Sequence, residues 1–136
     1  LIKNNKNIQL LGWVKDKERF FSKIDIFCSP SKIEPFGIVI LEAMARGIPV
    51  ISTRCHGPLD IIKNNKNGIL ININNANEMK SAIDLLKNNA EIRKNISKNG
   101  LDTIKYKYTI EAYKKNLFSL LTDVLKWLIQ IIKCTI

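Results

Sequence analysis

Through the first half of the chain, short apolar runs closed by turn residues alternate with segments of helical spacing; in the second half only helical spacing remains. A run of a few apolar residues bounded by Gly, Pro, Asn or Ser reads as a buried strand. Apolar residues recurring every three or four positions mark one face of a helix. On that basis Ile8 to Val14 predicts a first strand, Lys15 to Ser22 a short charged helix, and Ile24 to Cys28 a second strand closed by Ser29-Pro30-Ser31. Ile48 to Thr53 predicts a third strand. Ile69 to Ile73 predicts a fourth, after the turn chemistry of Asn64-Asn65-Lys66-Asn67-Gly68. One helix is expected after Gly37, ending at Gly47 and Pro49, and another opening at Pro58, a favoured first-turn residue. Strands alternating with short helices predict an α/β fold, a Rossmann-like parallel sheet with helices on both faces, followed by C-terminal helices.

From Asn77 onward Met79, Ile83 and Leu86, then Ile92, Ile96 and Leu101, recur at helical spacing. The last segment, Thr109 to Lys133, carries Leu117, Leu121, Val124, Leu128 and Ile131 on one stripe, with Ser119, Thr122, Asp123, Lys126, Gln130 and Lys133 opposite. That is a wide-faced amphipathic helix, too interrupted by charge to predict a membrane span. The chain therefore divides into a sheet-forming region, 1–108, and a terminal amphipathic helix, 109–136.

Composition adds a charge question. With 22 Lys and Arg against 12 Asp and Glu, the formal net charge is +10, which suits nucleic acid or an anionic membrane surface. The lysines are scattered among Asn and Ile and no RNA- or DNA-binding motif accompanies them, so nucleic acid is not an expected partner. Cys28, Cys55 and Cys134 are odd in number and lack metal spacing. They read as free thiols of a reducing compartment, which predicts a cytoplasmic protein, with the inner face of the cytoplasmic membrane as the place of any peripheral contact.

The chemistry concentrates in Glu34-Pro35-Phe36-Gly37-Ile38-Val39-Ile40-Leu41-Glu42, where two carboxylates flank a loop-to-helix junction between two predicted strands. Ligands of doubly wound sheets sit beyond the carboxyl ends of strands, and the loop from Ser29 to Gly37 lies at such an end. The following helix start presents unpaired N–H groups and partial positive charge, so the backbone of Phe36, Gly37 and Ile38 is a candidate diphosphate contact. Glu34 can accept from sugar hydroxyls and Glu42, in the second turn, from ribose hydroxyls. Plainer readings stand beside these. Glu42 and Arg46 are an i, i+4 pair that a helix salt bridge would explain, and Glu34 before a proline can be a solvated loop acid. His56, the single histidine, has no partners for a triad or a metal site. It is expected with Gly57 on a loop near the ligand. Asp25 reads as a capping or buried structural acid.

Residues 34–51 resemble the signature of the glycosyl transferases of group 1, the retaining family 4 enzymes of GT-B fold. Its pattern is E-x-F-G-x-x-x-x-E-A-M-A-x-G-x-P-V-I, and every fixed position is filled. The likeness extends from about Ile8 to Tyr113, through Leu10-Leu11-Gly12-Trp13-Val14 and Ile24 to Ser31 before the signature, and Gly57 to Ile62 and Asn67 to Leu70 after it. It implies the C-terminal, donor-binding half of a GT-B fold, truncated at its N-terminus, with the acceptor-side N-terminal domain as a separate partner. It also implies that Glu34 contacts the transferred sugar as the catalytic-site carboxylate, that Glu42 contacts the ribose, and that Pro35, Phe36, Gly37 and Ile38 line the diphosphate. The activity implied is transfer of a hexose, with retention, from a UDP- or GDP-sugar to a glycan or lipid-linked acceptor in bacterial cell-surface polysaccharide or lipopolysaccharide synthesis. The nucleotide-sugar is a substrate, and neither cofactor nor metal is expected. Two departures stand out: the family's basic pair that grips the pyrophosphate has no counterpart upstream of Gly12, and His56 stands where glycine is common. The alternatives are an inactive fragment, a non-catalytic nucleotide-sugar-binding or assembly subunit, and a membrane-surface adaptor built on the cationic terminal helix.

Overall fold

In the computed structural model, which describes residues 5–134, three parallel strands lie in the order β1-β2-β3. Along the chain the elements are α1 (Lys17–Phe21), β1 (Phe27–Ser29), α2 (Ile38–Met44), β2 (Val50–Thr53), α3 (His56–Ile61), β3 (Ile69–Ile71), α4 (Ala76–Asn88), α5 (Ala90–Lys107) and α6 (Ile110–Cys134). Cys28 pairs with Ile51, and Ser52 with Leu70.

Successive strand residues point to opposite faces, and this splits the core in two. Val50 and Leu70 join Phe21, Ile40, Ala43, Met44, Ile61 and Ile62 beneath α1, α2 and α3. Ile51, Ile69 and Ile71 join Ala82, Leu86 and Ile96 beneath α4 and the start of α5. Both faces of the sheet are covered, which is why β3 is apolar throughout and β2 is buried at every residue, with the Ser52 and Thr53 hydroxyls hydrogen-bonded. The helix starts are fixed by side chains. Asp16 accepts from the Arg19 N–H at 3.0 Å, and Asn75 from the Glu78 N–H at 3.0 Å, while the Glu78 carboxylate reaches back to the Asn72 N–H at 2.7 Å. Asn89 both ends α4 and caps α5, accepting from the Ile92 N–H at 3.0 Å, so the long helical stretch after Asn77 is two helices.

Five local expectations change. Ile8 to Val14 is not a strand; Leu10 and Trp13 are 79% and 89% exposed, and the described sheet ends at β1 without pairing this run. An apolar run becomes a strand only where a neighbour takes its backbone groups. β1 begins later than Ile24 and includes Ser29, while β3 stops at Ile71 because Asn72 and Asn75 turn to serve the start of α4. α3 opens at His56 rather than Pro58, so His56 and Gly57 belong to a helical first turn and not to a loop. Asp25 is exposed and makes no side-chain hydrogen bond among the described residues, so it is neither a cap nor buried.

α6 continues from α5 with Leu117, Phe118, Leu121, Val124, Leu125 and Leu128 exposed. The side chains of Ile131, Lys133 and Cys134, named in the terminal stripe and among the thiols, lie outside the described residues. No helix among the described residues is long and apolar enough to cross a membrane.

Candidate functional site

The chain leaves β1 at its carboxyl end, and the neighbouring strand holds the start of that loop. Ser52 Oγ donates to the Ser29 carbonyl at 3.3 Å, and Thr53 Oγ1 donates to the Ser31 carbonyl. Further along, the Gly57 N–H of α3 donates to the Glu34 carbonyl at 2.9 Å. A Cβ on Gly57 would lie 2.4 Å from the Phe36 carbonyl carbon, inside any real contact distance. Only glycine lets the first turn of α3 press so closely on the loop. At the other end Gly37 takes φ +93° as the N-cap of α2, and its carbonyl accepts from the Ile40 and Leu41 N–H groups at 3.0 and 3.2 Å. The Glu34-to-Gly37 loop is thus held between α2 and α3.

Within this loop the Glu34 carboxylate folds back on the helix start. Its Oε1 accepts from the Gly37 N–H at 2.9 Å and, more weakly, from the Phe36 N–H at 3.4 Å. These are two of the three N–H groups expected to meet a diphosphate, so this end of α2 holds an anion, and the anion is the signature's own first carboxylate. Pro35, Phe36 and Ile38 are exposed, Glu34 is part-buried, and Gly37 is buried. His56 is exposed at the first position of α3, whereas Gly57 is buried and reaches the loop through its backbone.

Glu42 lies one helical turn beyond Ile38, its side chain 26% exposed. Its Oε1 accepts from Lys17 Nζ of α1 at 2.6 Å. Arg46 does not pair with that carboxylate: its Nη1 donates to the Glu42 carbonyl at 2.7 Å, and its guanidinium engages Glu18 of α1 through Nη2 and, at 3.3 Å, through Nε. The same guanidinium lies 4.7 Å over the Phe21 ring. The hydrogen bond from Arg46 holds the Glu18 carboxyl below the usual range. The i, i+4 pair offered by spacing is therefore replaced by two ion pairs to α1, one from Glu42 of α2 and one from Arg46 in the turn after it. Lys17 was not singled out by sequence reasoning. Its signal is the adjacent opposite charges Lys17-Glu18 facing Glu42 and Arg46 at one-turn spacing.

Among the described residues the largest cavity, about 770 Å³, lies away from the signature carboxylates, on the side where the chain enters β1 and β2, with Asp25, Gly47, Pro49 and Arg93 in its wall. A smaller one of about 350 Å³ opens at the carboxyl ends of the strands between Pro30, Thr53, Ile71 and Asn75. Among the described residues no three His, Cys, Asp or Glu side chains gather as metal ligands. Burial pushes the Cys28 thiol above its ordinary range, and Cys55 is buried beneath the site beside Thr53.

Comparison with known proteins bears directly on this loop and its helix. The family model described as "Glycosyl transferases group 1" matches residues 2–103. The lipopolysaccharide core biosynthesis glycosyltransferase LpsE of Rhizobium meliloti is 32% identical over 116 residues, 85% of this chain and 34% of that protein. Among solved structures, the C-terminal domain of the group 1 family protein LpcC from Francisella tularensis superposes with TM-score 0.67 at 29% identity, over 76% of this chain and 53% of that one. A Staphylococcus aureus TarM variant in complex with fondaparinux, alpha-GlcNAc-glycerol and UDP gives TM-score 0.75 at 30% identity, over 84% of this chain and 23% of that one. The chain spans about a third or less of the length of the curated relatives it matches, 34% of LpsE and 9% of an Arabidopsis thaliana sucrose-phosphate synthase.

Proposed function

The chain belongs to the glycosyl transferases group 1 family, and from that premise we propose that it is the donor-binding half of a retaining glycosyltransferase. It takes a hexose from a UDP- or GDP-sugar and passes it to a glycan or lipid-linked acceptor in cell-surface polysaccharide or lipopolysaccharide synthesis. The names of its relatives support the pathway class, since LpsE is a lipopolysaccharide core enzyme and the TarM complex holds UDP. The observation that carries the reading is the anion-holding junction at Gly37, with Glu42 following in the next turn of α2.

On this reading a donor diphosphate takes the Gly37 N–H, and the Glu34 carboxylate it displaces turns to the hydroxyls of the transferred sugar. Glu42 accepts from the ribose. As the glycosidic bond breaks, charge grows on the leaving diphosphate, and the N-terminus of α2 stabilises it. The sugar becomes oxocarbenium-like, the acceptor attacks on the face the nucleotide leaves, and the anomeric configuration is retained. Ile38 and Phe36, exposed beside this path, line the diphosphate, with His56 at the edge. The acceptor wall comes from a second, N-terminal domain.

Ligand-detected NMR titration of the chain with UDP-glucose, UDP-N-acetylglucosamine and GDP-mannose tests this. Saturable binding of one of them supports it, and no binding of any rejects it. A second reading, a non-catalytic nucleotide-sugar-binding or assembly subunit, is favoured by the placement of the largest cavity away from Glu34 and Glu42. Turnover on addition of an N-terminal domain decides against that second reading. The place of action is cytoplasmic, with α6 as the element that meets the inner membrane face.

A further inference from the structure

We infer that Lys17 is a positioning residue of the nucleoside side of this site: it fixes one oxygen of Glu42 and leaves the other to accept from ribose. This rests on the reading that Glu42 contacts the ribose. A carboxylate offers about four acceptor positions on its two oxygens. Lys17 Nζ takes Oε1 at 2.6 Å, while Oε2 has no hydrogen-bond partner among the described residues. The Glu42 side chain is 26% exposed, and no unbonded side-chain oxygen is buried among the described residues, so Oε2 is open to a ligand. Ribose hydroxyls need Oε2 only, and Lys17 does not have to let go.

The neighbouring residue makes this arrangement selective. Arg46, at i, i+4 from Glu42 in the favourable orientation, is the natural competitor for the carboxylate. Glu18 removes it by binding the guanidinium through Nε and Nη2, and the Phe21 ring beneath the guanidinium holds it there. α1 itself is fixed by the Asp16 cap and by Phe21, which is 3% exposed in the core. Lys17 and Glu18 thus sort the charges of Glu42 and Arg46, one into the ligand site and one against the protein.

The test compares UDP with 2′,3′-dideoxyuridine 5′-diphosphate on the full chain by calorimetry or ligand-detected NMR. Lys17→Met is expected to weaken UDP about fivefold, the scale of a charge-assisted contact at a wet surface, with the dideoxy ligand unchanged. Lys17→Arg restores most of the loss. Lys17→Gln is the second variant, so that the result does not depend on one side chain. If Glu42→Gln abolishes the preference for UDP while Lys17→Met and Lys17→Gln keep it, the inference fails and the ribose reading stands. If Glu42→Gln leaves the preference intact, or the wild-type chain binds neither ligand, the ribose reading fails and takes the inference with it. Equal weakening of both ligands by Lys17→Met would put Lys17 on the diphosphate and overturn the positioning role.

Discussion

Arg46 donates to the backbone carbonyl of Glu42 at 2.7 Å and leaves its carboxylate to Lys17. The spacing of Glu42, on α2, and Arg46, in the turn that follows it, offered an i, i+4 salt bridge worth about 0.3 to 0.5 kcal/mol. A fork-shaped contact to Glu18 with an aromatic ring beneath it outcompetes so small a gain, because Arg delivers two directional hydrogen bonds where Lys delivers a point charge. The outcome matters for function: the candidate ribose carboxylate is not consumed by its own helix.

This arrangement predicts a pH dependence for α1. The Glu18 carboxyl is held low by Arg46, so its folded-state pKa lies below its unfolded one. The contact is therefore fully present above the unfolded carboxylate pKa and is lost as pH falls through the folded value. Amide protection across Lys17–Phe21, corrected for the intrinsic pH dependence of exchange, should fall on acidification through that range, and Glu18→Gln should be weakly protected already at neutral pH. Identical protection profiles for the two proteins would show that the Asp16 cap and Phe21 hold α1 without this ion pair.

Gly57→Ala should destabilise the chain by about 3 kcal/mol, the upper end for overpacking, because the added methyl meets the Phe36 backbone and not a movable side chain. Gly12→Ala is the control without a steric conflict. Its φ is positive, at +62°, unlike that of Gly57, but nothing lies within 4 Å of the added carbon, so only the backbone strain of about 1 kcal/mol is expected. Urea unfolding measures both. A neutral Gly57→Ala would mean that the loop shifts freely, and the clamp between α2 and α3 would be discarded.

The two signature carboxylates should separate on mutation. Glu42→Ala is expected to cost about 1.5 to 3 kcal/mol of UDP affinity if it removes a charge-assisted hydrogen bond to ribose. Glu34→Ala should leave UDP affinity unchanged or raise it, because it frees the Gly37 N–H now taken by the carboxylate at 2.9 Å, while erasing the preference for UDP-sugar over UDP. Calorimetric titration with both ligands distinguishes the two. Wild-type affinities in both mutants would return the carboxylates to solvated roles.

What the sequence disclosed follows from how local each cause is. Ile48 to Thr53 is readable as a strand because its β-branched residues sit between turn residues, and Val50–Thr53 is fully buried. Ile8 to Val14 is comparably apolar, yet periodicity carries no information on whether a sheet edge stands beside it. The Pro58 preference for a first turn placed the start of α3 two residues late, since His56 and Gly57 enter the helix on the extended N-cap Cys55. Lys17 and Glu42 meet across 25 residues of sequence, and no local rule pairs them. Glu34 and Gly37 are only three apart. Their bond is the kind of side-chain return to a helix start that capping rules describe, and it was legible in principle.

The last expectation concerns α6. Leu117, Leu121, Val124 and Leu128 form the stripe that the spacing predicted, and all four are exposed, together with Phe118, Leu120, Leu125 and Trp127. An apolar surface of this breadth is not left in water by a stable monomer. Lys114, Lys115 and Lys126, all exposed, add attraction to an anionic bilayer, and Trp127 suits the headgroup boundary. The chain is therefore expected to self-associate or to bind vesicles containing phosphatidylglycerol, more weakly as salt rises. Changing Leu121 and Leu128 to Ser should weaken either behaviour at least several-fold, at roughly 1.5 to 3 kcal/mol for each leucine fully buried on association. Light scattering and vesicle flotation read the two arms separately. A monodisperse monomer that ignores such vesicles would mean that α6 folds back on the domain in solution and covers its own stripe.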